Sequence, residues 1–115
     1  MASLKLPNYL RMHRKRASLS QDEVAFLLGC QTGAKVSRYE RFSRQANVET
    51  VFACEVIFGI PARELFAGVY QKVEETIKQR AQVLAGKLNA AKPDRFTRRK
   101  LENLAAISSA NSEPH

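Results

Sequence analysis

Ala34, Arg38, Arg41 and Gln45 follow one another at spacings of three or four residues, so a helix through them carries all four on one side. At about 100° per residue, with Val36 set at zero, Tyr39, Glu40 and Ser43 fall within about 60° of it while those four gather near the opposite pole. The outer side of such a helix is small, cationic and rich in hydrogen-bond donors. Arginine offers two parallel donors to the two major-groove acceptors of guanine, and alanine lets a helix come close to a thymine methyl. The chemistry on offer is therefore contact with base edges. An ordinary solvated helix face has the same residue types, and on this face alone the two readings weigh equally.

Covalent chemistry has no comparable candidates. No nucleophile is grouped with a base and an orienting residue, and no paired carboxylates sit in an apolar stretch, so the sequence does not propose an enzyme. Cys30 and Cys54 lack Cys or His neighbours at metal-ligand spacing and read as small buried thiols, which implies no metal and no disulfide. His13, on the apolar side of its segment, reads as a packed histidine. No cofactor is implied.

Binding chemistry agrees with the charge. The 115 residues are 44% hydrophobic and 26% charged, a globular composition with material for one modest core. Lysine and arginine number 19 against 11 acids, a net +8, and that surplus favours an anionic partner such as nucleic acid or lipid headgroups. The surplus is uneven. Residues 1–20 hold five basic groups and no acid, residues 46–70 hold one basic group and three acids, and residues 71–115 hold nine and five. A positive end beside a slightly acidic centre suits a protein that meets a polyanion with one face. No apolar run reaches the roughly 18 residues of a membrane span, and the start MASLKLPNYLRMHRKR has no signal-peptide block, so a cytoplasmic protein without membrane contact is expected.

The elements that must position these side chains read as helices throughout. Pro7 suits a first helical turn, and Leu10, His13 and Ala17 continue the period, which predicts a helix over 7–17. Ser20 with Glu23 three residues on is a capping-box signature for a helix over 20–28, whose stripe is Val24, Ala25 and Leu28 and whose stop is Gly29. After the short turn CQTG, Thr32 can cap a third helix over 33–44 with Val36 and Tyr39 inward. VETVFACEVIFG is apolar over more than half its circumference, which predicts a helix central to the core and ended by Gly59. From Pro61, Leu65, Val69, Val73, Ile77, Ala81, Leu84, Leu88 and Ala91 recur every three or four residues, with Gly68 as the expected break between a short fifth helix and a long sixth. Pro93 ends that run, Asp94 can cap the next, and Phe96, Leu101, Leu104, Ala105 and Ile107 predict a last helix over 95–108.

At this point the residues carry a likeness. L-S-Q-D-E-V-A-F-L-L-G over Leu19–Gly29, V-S-R-Y-E over Val36–Glu40 and V-E-T-V-F-A over Val48–Ala53 occur in an order and at spacings that resemble the phage repressor/Cro-like (xenobiotic response element) family of DNA-binding domains. The resemblance covers about residues 6–66. It implies an all-α, five-helix repressor-like helix-turn-helix bundle, sequence-specific binding of double-stranded DNA, and regulation of transcription by dimers on palindromic sites in bacteria or phages. Matched by position, Gln21 corresponds to a glutamine that meets a phosphate, Ser37 and Arg38 to the Ser-Arg pair of the recognition helix, and Arg14 to a first-helix arginine that pairs with Glu40 as a structural contact. The chain departs from the family by one extra residue near Gly33, so the usual base-reading front holds Gln31, Thr32, Gly33, Ala34 and Lys35. Arg41 follows on the same helix. Arg44 and Asn47 beyond it, and Lys15 and Arg16 from the first helix, are candidates for flanking phosphates, with solvation as the equal alternative.

The likeness stops near Phe66, yet the apolar stripe of the long helix continues. The sequence therefore divides into a DNA-binding domain over 1–67, a helical extension over 68–108 and a disordered tail over 109–115. The stripe must be covered by the bundle, by the last helix or by a second chain, and a homodimer through the C-terminal helices is the favoured expectation. Such a dimer presents two recognition helices about 34 Å apart, one DNA turn. Arg95, Arg98, Arg99 and Lys100 read as a solvated face that could add phosphate contacts. Two other functions fit the same organisation: an antitoxin-type autorepressor that binds a toxin through its C-terminal helices, and a protein-interaction adaptor without DNA binding.

Overall fold

The structure, a computed structural model, describes residues 4–109, and among them every regular element is a helix. In chain order these are α1 (Leu10–Arg16), α2 (Gln21–Leu28), α3 (Ala34–Glu40), α4 (Val48–Phe58), α5 (Ala62–Leu65), α6 (Ala67–Ala90) and α7 (Thr97–Ser109). The chain divides into two compact units, with the boundary between Tyr70 and Gln71. Among the described residues no helix is long and apolar enough to cross a membrane.

Local chemistry sets most helix ends in the first unit. Ser20 Oγ accepts from the Glu23 backbone N–H at 3.0 Å and the Glu23 carboxylate accepts from the Ser20 N–H at 2.8 Å, so the expected capping box opens α2. Gly29, at φ 80°, closes it. Asn47 caps α4 by accepting from the Thr50 N–H at 2.9 Å, and Gly59 stops that helix.

α1 starts later than Pro7 suggests. Asn8 is buried: its Oδ1 accepts from the Leu10 N–H at 3.1 Å and its Nδ2 donates to the Tyr39 carbonyl at 2.9 Å. The segment before the helix is held out of helical conformation, because Tyr9 N–H donates to the Leu65 carbonyl at 2.7 Å and Gly68 N–H to the Leu6 carbonyl at 2.8 Å. A Cβ at Gly68 would fall on the Leu6 carbonyl. Gly68 is therefore needed for close approach and lies inside α6; the break between α5 and α6 is at Phe66.

The core of this unit forms where the short helices converge. Leu10, Tyr39, Cys54 and Leu65 make one buried cluster and Val24, Ala25 and Val36 another, and Leu28 and Phe58 pack against both. α4 is less central than its composition suggests. Its buried side is Cys54, with Val51, Ile57 and Phe58 half-buried, while Val48, Phe52 and Val56 stand on its exposed side. Burial pushes the Cys54 thiol up to about 11, so it carries no thiolate near neutral pH. Cys30, expected to be buried, is only half-buried. His13 is half-buried with its ring 6.5 Å from that of Phe58, a packing contact.

The second unit holds the rest of α6 and α7. Asp94 Oδ1 accepts from the Phe96 N–H at 2.8 Å, and that bond with the Thr97 hydroxyl holds the Asp94 carboxyl below its usual range. The α6 stripe is open at Val73, Ile77 and Leu84, whereas Ala81 is buried. Phe96 precedes α7 instead of joining its stripe, and the Arg95 guanidinium lies 4.7 Å from its ring centroid. Ser109, placed in the tail by the sequence, is the last residue of α7; residues 110–115 lie outside the described residues.

Candidate nucleic-acid interface

α2 and α3 are joined by Gly29–Gly33, and the joint is made by one side chain. Asp22 Oδ1, from the first turn of α2, accepts the Gly33 N–H at 2.7 Å. Gly33 is buried against α2, where an added Cβ would lie 2.7 Å from Asp22 Oδ1, 2.9 Å from Gln21 Cβ and 3.0 Å from the Gln21 carbonyl carbon. The end of the turn is thus folded onto the start of α2. Gly33 occupies the position before α3 that Thr32 was expected to cap; the Thr32 hydroxyl instead accepts the Ala34 N–H at 3.3 Å. Gly33→Ala should lower stability by about 1–3 kcal/mol, because the α2 backbone must move to admit a methyl group. Urea unfolding measures this, and a loss below about 0.5 kcal/mol would mean that the joint yields freely.

α3 is shorter than expected, ending at Glu40 rather than near residue 44. Its inward side is Val36, Tyr39 and Glu40, all buried, and Ala34 and Arg38 are exposed opposite them. Arg41 follows as the cap residue, and Ser43, expected inward, is exposed, with its hydroxyl donating to the Arg38 carbonyl at 3.2 Å. The helix ends early because Phe42 takes a left-handed backbone, φ 64°. Arg44 and Asn47 consequently lie off the helix, both exposed, and the Asn47 side-chain Oδ1 is occupied by the α4 cap.

Arg14 holds α3 to α1. Its Nε donates to Glu40 Oε2 at 2.6 Å and its Nη2 to Glu40 Oε1 at 3.1 Å, while Nη1 donates to the Leu19 carbonyl at 3.0 Å. The two side chains are 12% and 3% exposed, and the Glu40 hydrogen bond raises the Arg14 pKa. Gln21 joins the same carboxylate, with Nε2 donating to Glu40 Oε1 at 3.1 Å. Its side chain is thus turned inward, toward the ion pair, and the donor expected to meet a phosphate is engaged.

Beside this ion pair lies an open cleft of about 690 Å3. Arg11, Lys15, Ser37 and Arg41 line it together with Ser20, Gln21, the acid Asp22 and the Arg14–Glu40 pair. Arg11, Lys15 and Arg41 are exposed, and among the described residues none of them pairs with a carboxylate. Arg11 was not among the residues the sequence singled out, although it stands one turn before Lys15 on α1. The cleft therefore combines unneutralised cations with a hydroxyl donor, an arrangement that can hold anionic oxygens. Gln31, Thr32 and Arg16 are exposed and Lys35 half-buried, and none of these four lines the cleft. Among the described residues no group of His, Cys, Asp or Glu could hold a metal ion. Comparison of the chain with protein-family models, with curated proteins and with solved structures finds no match.

Proposed function

We propose that this chain is a cytoplasmic, sequence-specific double-stranded DNA-binding regulator of transcription, with a helix-turn-helix of the phage repressor/Cro-like kind formed by α2 and α3. The carrying observation is that the cationic outer side of α3 is uncovered next to the basic cleft. In this reading Arg38 and Ala34 meet base edges in the major groove, and Arg11, Lys15, Ser37 and Arg41 meet the phosphates alongside. The open stripe at Val73, Ile77 and Leu84 supports pairing of two chains through the second unit, which would set two copies of α3 on one face of a duplex.

Binding of the full chain to random-sequence duplex DNA at increasing salt tests this. With about six phosphate contacts the affinity should fall by a factor of about 1,000 between 50 and 200 mM salt. Site selection from the same pool should return a palindrome. Arg38→Ala should lose about 1–3 kcal/mol at one base position of that site. Absence of DNA binding at low salt would overturn the reading and leave protein contact through the second unit as the function.

A further inference from the structure

We propose that the Phe42 ring is an apolar DNA contact at the trailing end of α3, packing on a thymine methyl or a deoxyribose at the groove edge. This rests on the DNA-binding reading above, and it begins with the backbone. The described residues hold four left-handed positions, Ser18 at φ 61°, Gly29 at 80°, Phe42 at 64° and Gly59 at 67°, and each lies where a helix stops. α1, α2 and α3 end in the same way: Leu19 N–H donates to the Arg14 carbonyl at 3.1 Å, Cys30 N–H to Ala25 at 2.8 Å, and Ser43 N–H to Arg38 at 3.0 Å. This stop requires positive φ at its central residue, which glycine adopts without penalty and a bulky side chain adopts badly. Two of the four positions are glycine and one is the small Ser18. Phe42 is the exception.

The fold does not account for it. Phe42 is 46% exposed, whereas Tyr39, three residues earlier, is 3% exposed in the core. A strained backbone that holds an aromatic ring half in water points to a task outside the fold.

The surroundings indicate what the ring meets. Arg38, Arg41 and Arg44, its neighbours in the chain, are exposed, and no acid occurs between Glu40, already paired with Arg14, and Glu49. A second copy of this segment would set three arginines against three, which opposes self-pairing. DNA offers the complementary surface: phosphates for the arginines, and methyl groups and sugars for a ring held between them. The early stop of α3 leaves Phe42 two residues past its last residue, with Arg41 next to it in the chain.

The test uses the full chain and duplexes of random sequence, prepared with thymidine or with deoxyuridine in its place. Phe42→Gly should weaken binding by about tenfold, while its melting temperature equals or exceeds that of the parent, because the strain is relieved. Phe42→Tyr should restore binding. The sequence contains no tryptophan, so in Phe42→Trp the single indole reports the site, and its emission should change when DNA is added. If deoxyuridine weakens the parent but not Phe42→Gly, the ring meets thymine methyls; if it weakens neither, the ring meets deoxyribose. Equal affinity of parent and Phe42→Gly would overturn the proposal, as would a fall in melting temperature with binding retained, or a change in oligomeric state. A parent that binds no duplex at low salt would remove the DNA-binding reading itself. A parent that binds, and that Arg38→Ala weakens while Phe42→Gly does not, would remove the Phe42 contact alone.

Discussion

Glu40→Ala should lower stability by about 3 kcal/mol, near the lower end of what is lost when one partner of a buried ion pair is removed. Glu40 accepts from Arg14 twice, at 2.6 and 3.1 Å, and from Gln21 once, at 3.1 Å. Its removal leaves a guanidinium that is only 12% exposed with the Leu19 carbonyl as its remaining partner. Because Arg14 belongs to α1, Gln21 to α2 and Glu40 to α3, the same change loosens the three elements that line the basic cleft. Urea unfolding provides the measurement. Glu40→Gln, which keeps an acceptor without the charge, should lose less than Glu40→Ala. Equal losses would show that the charge, not the retained acceptor, carries the contact, and a loss under about 1 kcal/mol for both would place the pair in effective contact with water.

The other large effect is expected in the core. Leu65 is fully buried in the cluster with Leu10, Tyr39 and Cys54, and Leu65→Ala should cost about 3–4 kcal/mol from lost burial plus the cavity left behind. Its backbone carbonyl still accepts the Tyr9 N–H, so the loss reports packing rather than a broken hydrogen bond. Leu65→Ile, which conserves volume, should cost less than about 1.5 kcal/mol. Thermal unfolding followed by circular dichroism distinguishes the two, and similar midpoints for both variants would refute the packing account.

Helix ends were legible in the sequence where their signals are local and chemical. Ser20, Glu23 and Gly29 bound α2 within one residue of the expected limits because a capping box and a glycine stop act on their own neighbours. The end of α3 was not legible. A phenylalanine carries no signal for a left-handed stop, and no glycine or proline stands between Val36 and Ser43 to end the helix. The start of α1 was missed for a tertiary reason: Pro7 permits a helical turn there, but hydrogen bonds with Leu65 and Gly68 hold the segment out of the helix. α4 shows the limit of counting apolar residues, since Val48, Phe52 and Val56 are as hydrophobic as the residues it buries and remain exposed.

The candidate site divides in the same way. Helical spacing alone placed Ala34 and Arg38 on a side away from Val36, and they are exposed. The Arg14–Glu40 contact came from resemblance to a family, since no local pattern joins residues in different helices. That Gln21 turns toward this pair, and that Arg11 faces the cleft, depend on how α1 and α2 meet, which neither residue encodes locally.

The hydrogen bonds from Tyr9 to Leu65 and from Gly68 to Leu6 make the first unit a ring closed by its own ends. During synthesis the earliest residues must wait for the start of α6 before they can settle, because closure joins positions far apart in the chain. The first unit is thus closed only once Gly68 is available to Leu6, and a nascent chain arrested before Gly68 lacks that hydrogen bond.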